Sequence, residues 1–142
     1  MKILIYLITI MGIITFMGCT AARQAADVQP GATIENVSDE ESDTTEYDLV
    51  IFDAGFNRWF ARNARPVSFY EHQYLQRWNA ILTREWNSLG ASGSLRDCRP
   101  VNYLDYDSGI DYGKELDYKL FYYFRYMHQR CRLFSQTPGQ WR

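Results

Sequence analysis

The sequence predicts a mostly helical α+β fold: one small domain in which two or three helices pack on a short two-stranded sheet. Three observations carry this. Residues 47–53 form a β-branched and aromatic run that is too brief for a helix and is closed by Ala54-Gly55. Two later and longer segments repeat apolar residues at helical spacing. The aromatic load is high, with four Trp, ten Tyr and seven Phe from residue 47 to the end. Each buried ring removes a large area from water, so a domain of roughly ninety residues can still close a core.

Taken in order, residues 47–53 read as a buried strand. Residues 56–64 read as a short helix with Phe56, Trp59 and Phe60 on one side, ended by Pro66. Ser68-Phe69-Tyr70-Glu71 has the form of a capping box. It opens a helix to about residue 89, striped by Tyr74, Leu75, Trp78, Ile81, Leu82 and Leu89 and stopped by Gly90 and Gly93. Residues 100–106 read as a second strand and a partner for the first. A last helix covers residues 111–133, with Leu116, Leu120, Tyr123, Phe124, Met127 and Cys131 inward. Tyr118, Phe121, Tyr122 and Tyr126 make the opposite side aromatic as well. A helix apolar nearly all round is central in its domain or covered by another surface. Burial inside the domain is the first reading of those four residues, and an exposed strip that serves as an interaction surface is the alternative.

The N-terminus predicts export. Lys2 supplies a single positive charge, and residues 3–16 carry none. A run of about 14 apolar residues is too short to cross a hydrocarbon core as a helix and has the length of a signal-peptide core. Phe16-Met17-Gly18-Cys19 then sets a small residue directly before a cysteine, as in a lipobox, although Phe16 stands where Leu is usual. The expected organisation is a lipoprotein signal peptide over residues 1–18, then a lipidated Cys19 with a disordered acidic linker to residue 45. A globular domain over 46–134 and a flexible tail over 135–142 follow. Acyl chains contribute about 0.8 kcal/mol per buried methylene, so two or three make a permanent anchor. Thr20 rather than Asp follows Cys19. The expected location is the outer membrane facing the periplasm, with surface display as the alternative.

The linker is expected to be disordered because residues 20–45 contain no aromatic residue and are mostly Ala, Ser, Thr and acids. Seven acids between Glu35 and Asp48 have no base among them. From residue 49 onward thirteen bases, eleven of them Arg, face nine acids. Arg-rich, aromatic-rich domains of the cytosol suggest nucleic acid; export argues against it. The partners expected instead are the membrane, through the lipid on Cys19, and an envelope protein or anionic glycan.

Several motifs fall short of a chemistry. The strand ending in Asp53 resembles the start of haloacid-dehalogenase-like phosphotransferases, but Gly55 stands where their second Asp belongs. Asp105, Asp107 and Asp111 resemble the opening of a calcium loop, but Ile110 and Leu116 occupy the positions of the turn Gly and the bidentate Glu. The Asp-Tyr pair at 105, 111 and 117 recurs in six-residue steps, which share no helical face. His72 and His128 lie on separate predicted helices without zinc-ligand spacing. No metal site and no cofactor is expected, and no catalytic residue is assigned.

With Cys19 lipidated, Cys98 and Cys131 remain as an even pair. They can form a bridge, or Cys131 can pack as a small hydrophobe on its apolar stripe. Tyr47-Asp48-Leu49-Val50-Ile51-Phe52-Asp53-Ala54-Gly55-Phe56, Glu85-Trp86-Asn87, Ile110-Asp111-Tyr112-Gly113, Leu116-Asp117-Tyr118-Lys119-Leu120 and Tyr123-Phe124 resemble an uncharacterised family of small lipoproteins of Bacteroidota, a domain of unknown function. The resemblance implies a Gram-negative envelope and lends no activity. Two function classes stay open: a non-catalytic envelope module, binding or structural, and a cell-wall or glycan-active enzyme using Asp53, Glu85 or Asp111 as a carboxylate.

Overall fold

The computed structural model describes residues 31–37, 46–92, 98, 100 and 102–141. Two antiparallel strands, β1 (Ala32–Val37) and β2 (Glu46–Ile51), precede three helices: α1 (Ala54–Asn63), α2 (His72–Ser92) and α3 (Lys114–Cys131). The architecture is α+β and mostly helical, in one small domain. The signal peptide and Cys19 lie outside the described residues.

The second strand is not where the sequence places it. β2 pairs with β1, in a register running from Ala32 opposite Ile51 to Val37 opposite Glu46. The linker expected to be disordered to residue 45 thus contains a strand, and the folded unit begins before residue 46. Low aromatic content does not prevent a strand here, because β1 needs little burial of its own. Ala32 is buried and Thr33 and Ile34 are half-buried, while Glu35, Asn36 and Val37 are exposed. The β-branched Thr33, Ile34 and Val37 suit a strand that leans on a better-buried neighbour.

Residues 102–107 form no strand, and α2 satisfies the backbone of Leu104 and the carbonyl of Asn102 instead. The Asn87 side chain accepts from Leu104 N–H at 2.8 Å and donates to Leu104 C=O at 2.9 Å, as a neighbouring strand would. Trp86 Nε1 donates to Asn102 C=O at 3.3 Å. Asn102 in turn donates to the Ala32 carbonyl, which ties this segment to β1.

The capping box is also displaced. Ser68 lies in a 3₁₀ turn, Val67–Phe69, and α2 begins at His72, with the Glu71 carbonyl accepting from Tyr74 and Leu75. The last helix, expected over 111–133, is shorter. Asp111 Oδ1 accepts from Gly113 N–H, and Gly113 sits at φ 83°, a conformation that favours Gly. Arg132 closes the helix in the left-handed region at φ 52°. Nor is the C-terminal tail loose. Residues Gly139–Trp141 make a 3₁₀ turn that brings the Trp141 ring to 5.4 Å from Phe121, and Ser135 N–H donates to Glu85.

α3 is the central element. Ten of its eighteen residues are buried, from Leu116 to Met127, against α1 on one side, α2 on another and β2 at its start. Trp86, Leu75 and Leu82 of α2, Phe56 of α1 and Leu49 of β2 complete the core. The rings meet largely edge-on or tilted, as Phe56 does with Tyr123 at 5.5 Å and 82°.

Candidate functional site

Where Leu116, Tyr118 and Leu120 of α3 pack into the core, Asp117 goes in with them and is fully buried. A carboxylate so placed is tolerated only with its lone pairs filled. Tyr106 O–H donates to Oδ1 at 2.7 Å, Asn79 Nδ2 to the same oxygen at 3.0 Å, and His72 Nε2 to Oδ2 at 2.8 Å. Asn79 also donates to the Asp117 carbonyl at 2.9 Å. Burial first, and the bond to Asp117 next, push the Tyr106 hydroxyl well above the usual phenol range. Three segments therefore converge on one side chain: the start of α2, its second turn onward, and the loop before α3.

His72 reaches solvent, at 29% side-chain exposure. It lines a hollow of about 620 Å³ with Gln73, Gln76, Ser108 and Asp111. Asp111 Oδ1 approaches the same Nε2 at 3.9 Å. A carboxylate that fixes one imidazole nitrogen leaves the other able to hold or pass a proton, which is the geometry of a positioned acid or base.

Of these residues only Asp111 stands out from sequence as a site candidate. The available signal was an Asp in the i, i+3, i+4 company of Leu116, Leu120 and Phe121, an acid on an apolar face. The recurring Asp-Tyr pairs are unequal in space. Only Asp117-Tyr118 is helical; the loop folds back so that Tyr106 stacks on Tyr112 at 5.1 Å and reaches Asp117.

The other candidates drawn from sequence go elsewhere, and Asp111 is tied to its own turn as well. Asp53 caps α1: Oδ1 accepts from Gly55 N–H at 2.8 Å and from Tyr126 O–H at 3.0 Å, while Oδ2 pairs with Arg130 at 2.9 Å. A Cβ on Gly55 would lie 2.6 Å from the Tyr126 hydroxyl, so Gly permits this closure. Glu85 accepts from Ser135 N–H, and Asp111 turns back on Gly113. Asp107 closes its own turn onto Gly109. Among the described residues no three His, Cys, Asp or Glu side chains are grouped to hold a metal ion.

Of the two readings of the aromatic face of α3, burial holds and the exposed interaction surface does not. Tyr118, Phe121, Tyr122 and Tyr126 are all buried, under α1, the 3₁₀ turn at 67–69 and the C-terminal turn. The Tyr122 hydroxyl meets Tyr70 and the Arg65 N–H, each at 2.8 Å, and the Tyr118 hydroxyl donates to the Arg65 carbonyl. Burial pushes the Tyr118 hydroxyl up to about 12. Cys98 and Cys131 are joined in a disulfide, with Cα atoms 5.7 Å apart.

The model of a family of unknown function, DUF6146, matches residues 5–138. No curated protein and no solved structure matches the chain.

Proposed function

The chain belongs to this family of unknown function, and we propose from its own residues that the mature protein is a lipid-anchored envelope lipoprotein acting as a non-catalytic binding module. The anchor is argued from Gly18-Cys19 at the end of a charge-free apolar run. Among the described residues no helix is long and apolar enough to cross a membrane. The outer membrane of a Gram-negative envelope, as in Bacteroidota, is the proposed location, facing the periplasm.

The observation that carries the binding role is where the carboxylates go. Asp53, Glu85 and Asp111, the side chains an envelope hydrolase would have used, are each engaged in closing a turn, capping a helix or tying down the C-terminal segment.

The second reading, an envelope glycan-active enzyme, is favoured by one group, His72, which Asp117 orients beside an open hollow. Acylation is tested by palmitate labelling with and without globomycin. Label is expected on the wild type and absent from Cys19→Ala; label that persists in the variant sinks the anchor. Turnover of an envelope glycan that His72→Gln abolishes would replace the binding role with the enzymatic one.

A further inference from the structure

We propose that the groove between α2 and the loop at residues 103–111 is a binding site for a neutral glycan strand. This deepens the binding-module reading and rests on it for its biological setting. The hollow beside His72 and a second of about 320 Å³ share Ser108 and lie end to end along the helix. Gln76, Ala80, Thr83 and Asn87 follow at steps of three and four, so one stripe of α2 lines the whole length. From position 72 to 87 the helix rises about 22 Å, at roughly 1.5 Å per residue. That accommodates several sugar rings in a row.

The lining has the chemistry of sugar recognition. Amide and hydroxyl groups of Gln73, Gln76 and Ser108 both donate and accept, as sugar hydroxyls do. The hydroxyl of Thr83, on the inner side, has no partner among the described residues. At one end Tyr103 is 74% exposed, and at the other Ile110 is 37% exposed. An aromatic ring standing free beside polar groups is a platform for the C–H face of a sugar, apolar in body and polar at the tip.

Charge selects among glycans. Glu71, Asp107 and Asp111 border the groove against the single guanidinium of Arg84. An acidic rim repels polyanions, so the anionic glycan expected from the chain's arginine content gives way to a neutral one.

The test is isothermal titration of the full chain, purified from envelopes in detergent, with three probes: a tetramer of N-acetylglucosamine, a tetramer of β-linked glucose, and a uronate tetramer. At least one neutral tetramer is expected to bind saturably, and more tightly than the uronate. Losing a stacking contact of about 1.4 kcal/mol corresponds to a tenfold loss. Tyr103→Ala should therefore weaken binding about tenfold and leave the melting temperature unchanged, and Gln76→Ala should weaken it independently. No saturable heat from either neutral probe, wild-type binding by both variants, tighter binding of the uronate, or saturation only by an extended peptide would each overturn the proposal. These readouts do not involve Cys19, so failure of the anchor and failure of the groove are separable.

Discussion

Asp53 and Asp117 both tie the central helix to the rest of the fold, and they do it under opposite conditions. Asp53 sits at the rim with 10% of its side chain exposed, and it pairs with Arg130, which is half in water. Asp117 is sealed, with no Arg or Lys among its partners and three side chains donating to its oxygens. A rim ion pair is screened and individually weak. A buried carboxylate depends wholly on its donors, and they on it. The same residue type therefore marks a replaceable clip at one end of α3 and an irreplaceable joint at the other.

The largest effect expected is at the joint. Asp117→Asn keeps the shape but turns one of the two acceptor oxygens into a donor, which then faces either His72 or the Asn79 and Tyr106 donors, and it removes the buried charge. Removing one partner from such a buried cluster costs about 3–5 kcal/mol. Urea denaturation should show that loss, or no cooperative transition at all. A loss below about 1 kcal/mol would mean the cluster is not holding α2 and the 102–113 loop to α3.

At the rim the loss should be smaller. Asp53→Ala removes an N-cap acceptor, typically about 1–2 kcal/mol, together with an exposed ion pair worth little. Measured the same way, Asp53→Ala should fall clearly short of Asp117→Asn. Equal losses would collapse the distinction between clip and joint.

The two carboxylates also differ in how legible they were. Asp53 stands out because a strand ends and a helix begins around it, a local event written in consecutive residues. Asp117 sits inside a helix, and its partners come from 11, 38 and 45 positions away. Periodicity gave the central helix and its all-round burial correctly, since those depend on i, i+3 and i+4 neighbours. It could not give β1, whose exposed half resembles a linker. Nor could it reveal that residues 102–107 borrow a side chain, Asn87, in place of a strand. Sequence reading failed wherever a segment's backbone bonds were supplied from far along the chain.

The smallest expected effect concerns which end of α3 yields first in mild acid. His128, one turn from the helix end, accepts the Phe134 N–H at Nδ1, 3.1 Å away, and its ring stacks on Phe134. An imidazole used as an acceptor there has to be neutral. Burial first, and the charge of Arg132 next, hold its pKa below the ordinary 6.5, while Glu85 works the other way. The sign follows from linkage. Below about pH 6.5 the unfolded chain takes a proton that the folded chain refuses, so this contribution to stability is present above 6.5 and is lost as pH falls toward the lowered folded value. Protonation would also evict the Phe134 N–H and loosen the turn that carries Trp141. Melting temperature measured from pH 8 to pH 5 should fall, and the fall should be shallower in His128→Gln, whose amide oxygen can still accept from Phe134 and does not titrate. If the pH profile of His128→Gln superimposed on the wild type, mild acid would be acting elsewhere, and the C-terminal end of α3 would not be the part that gives way.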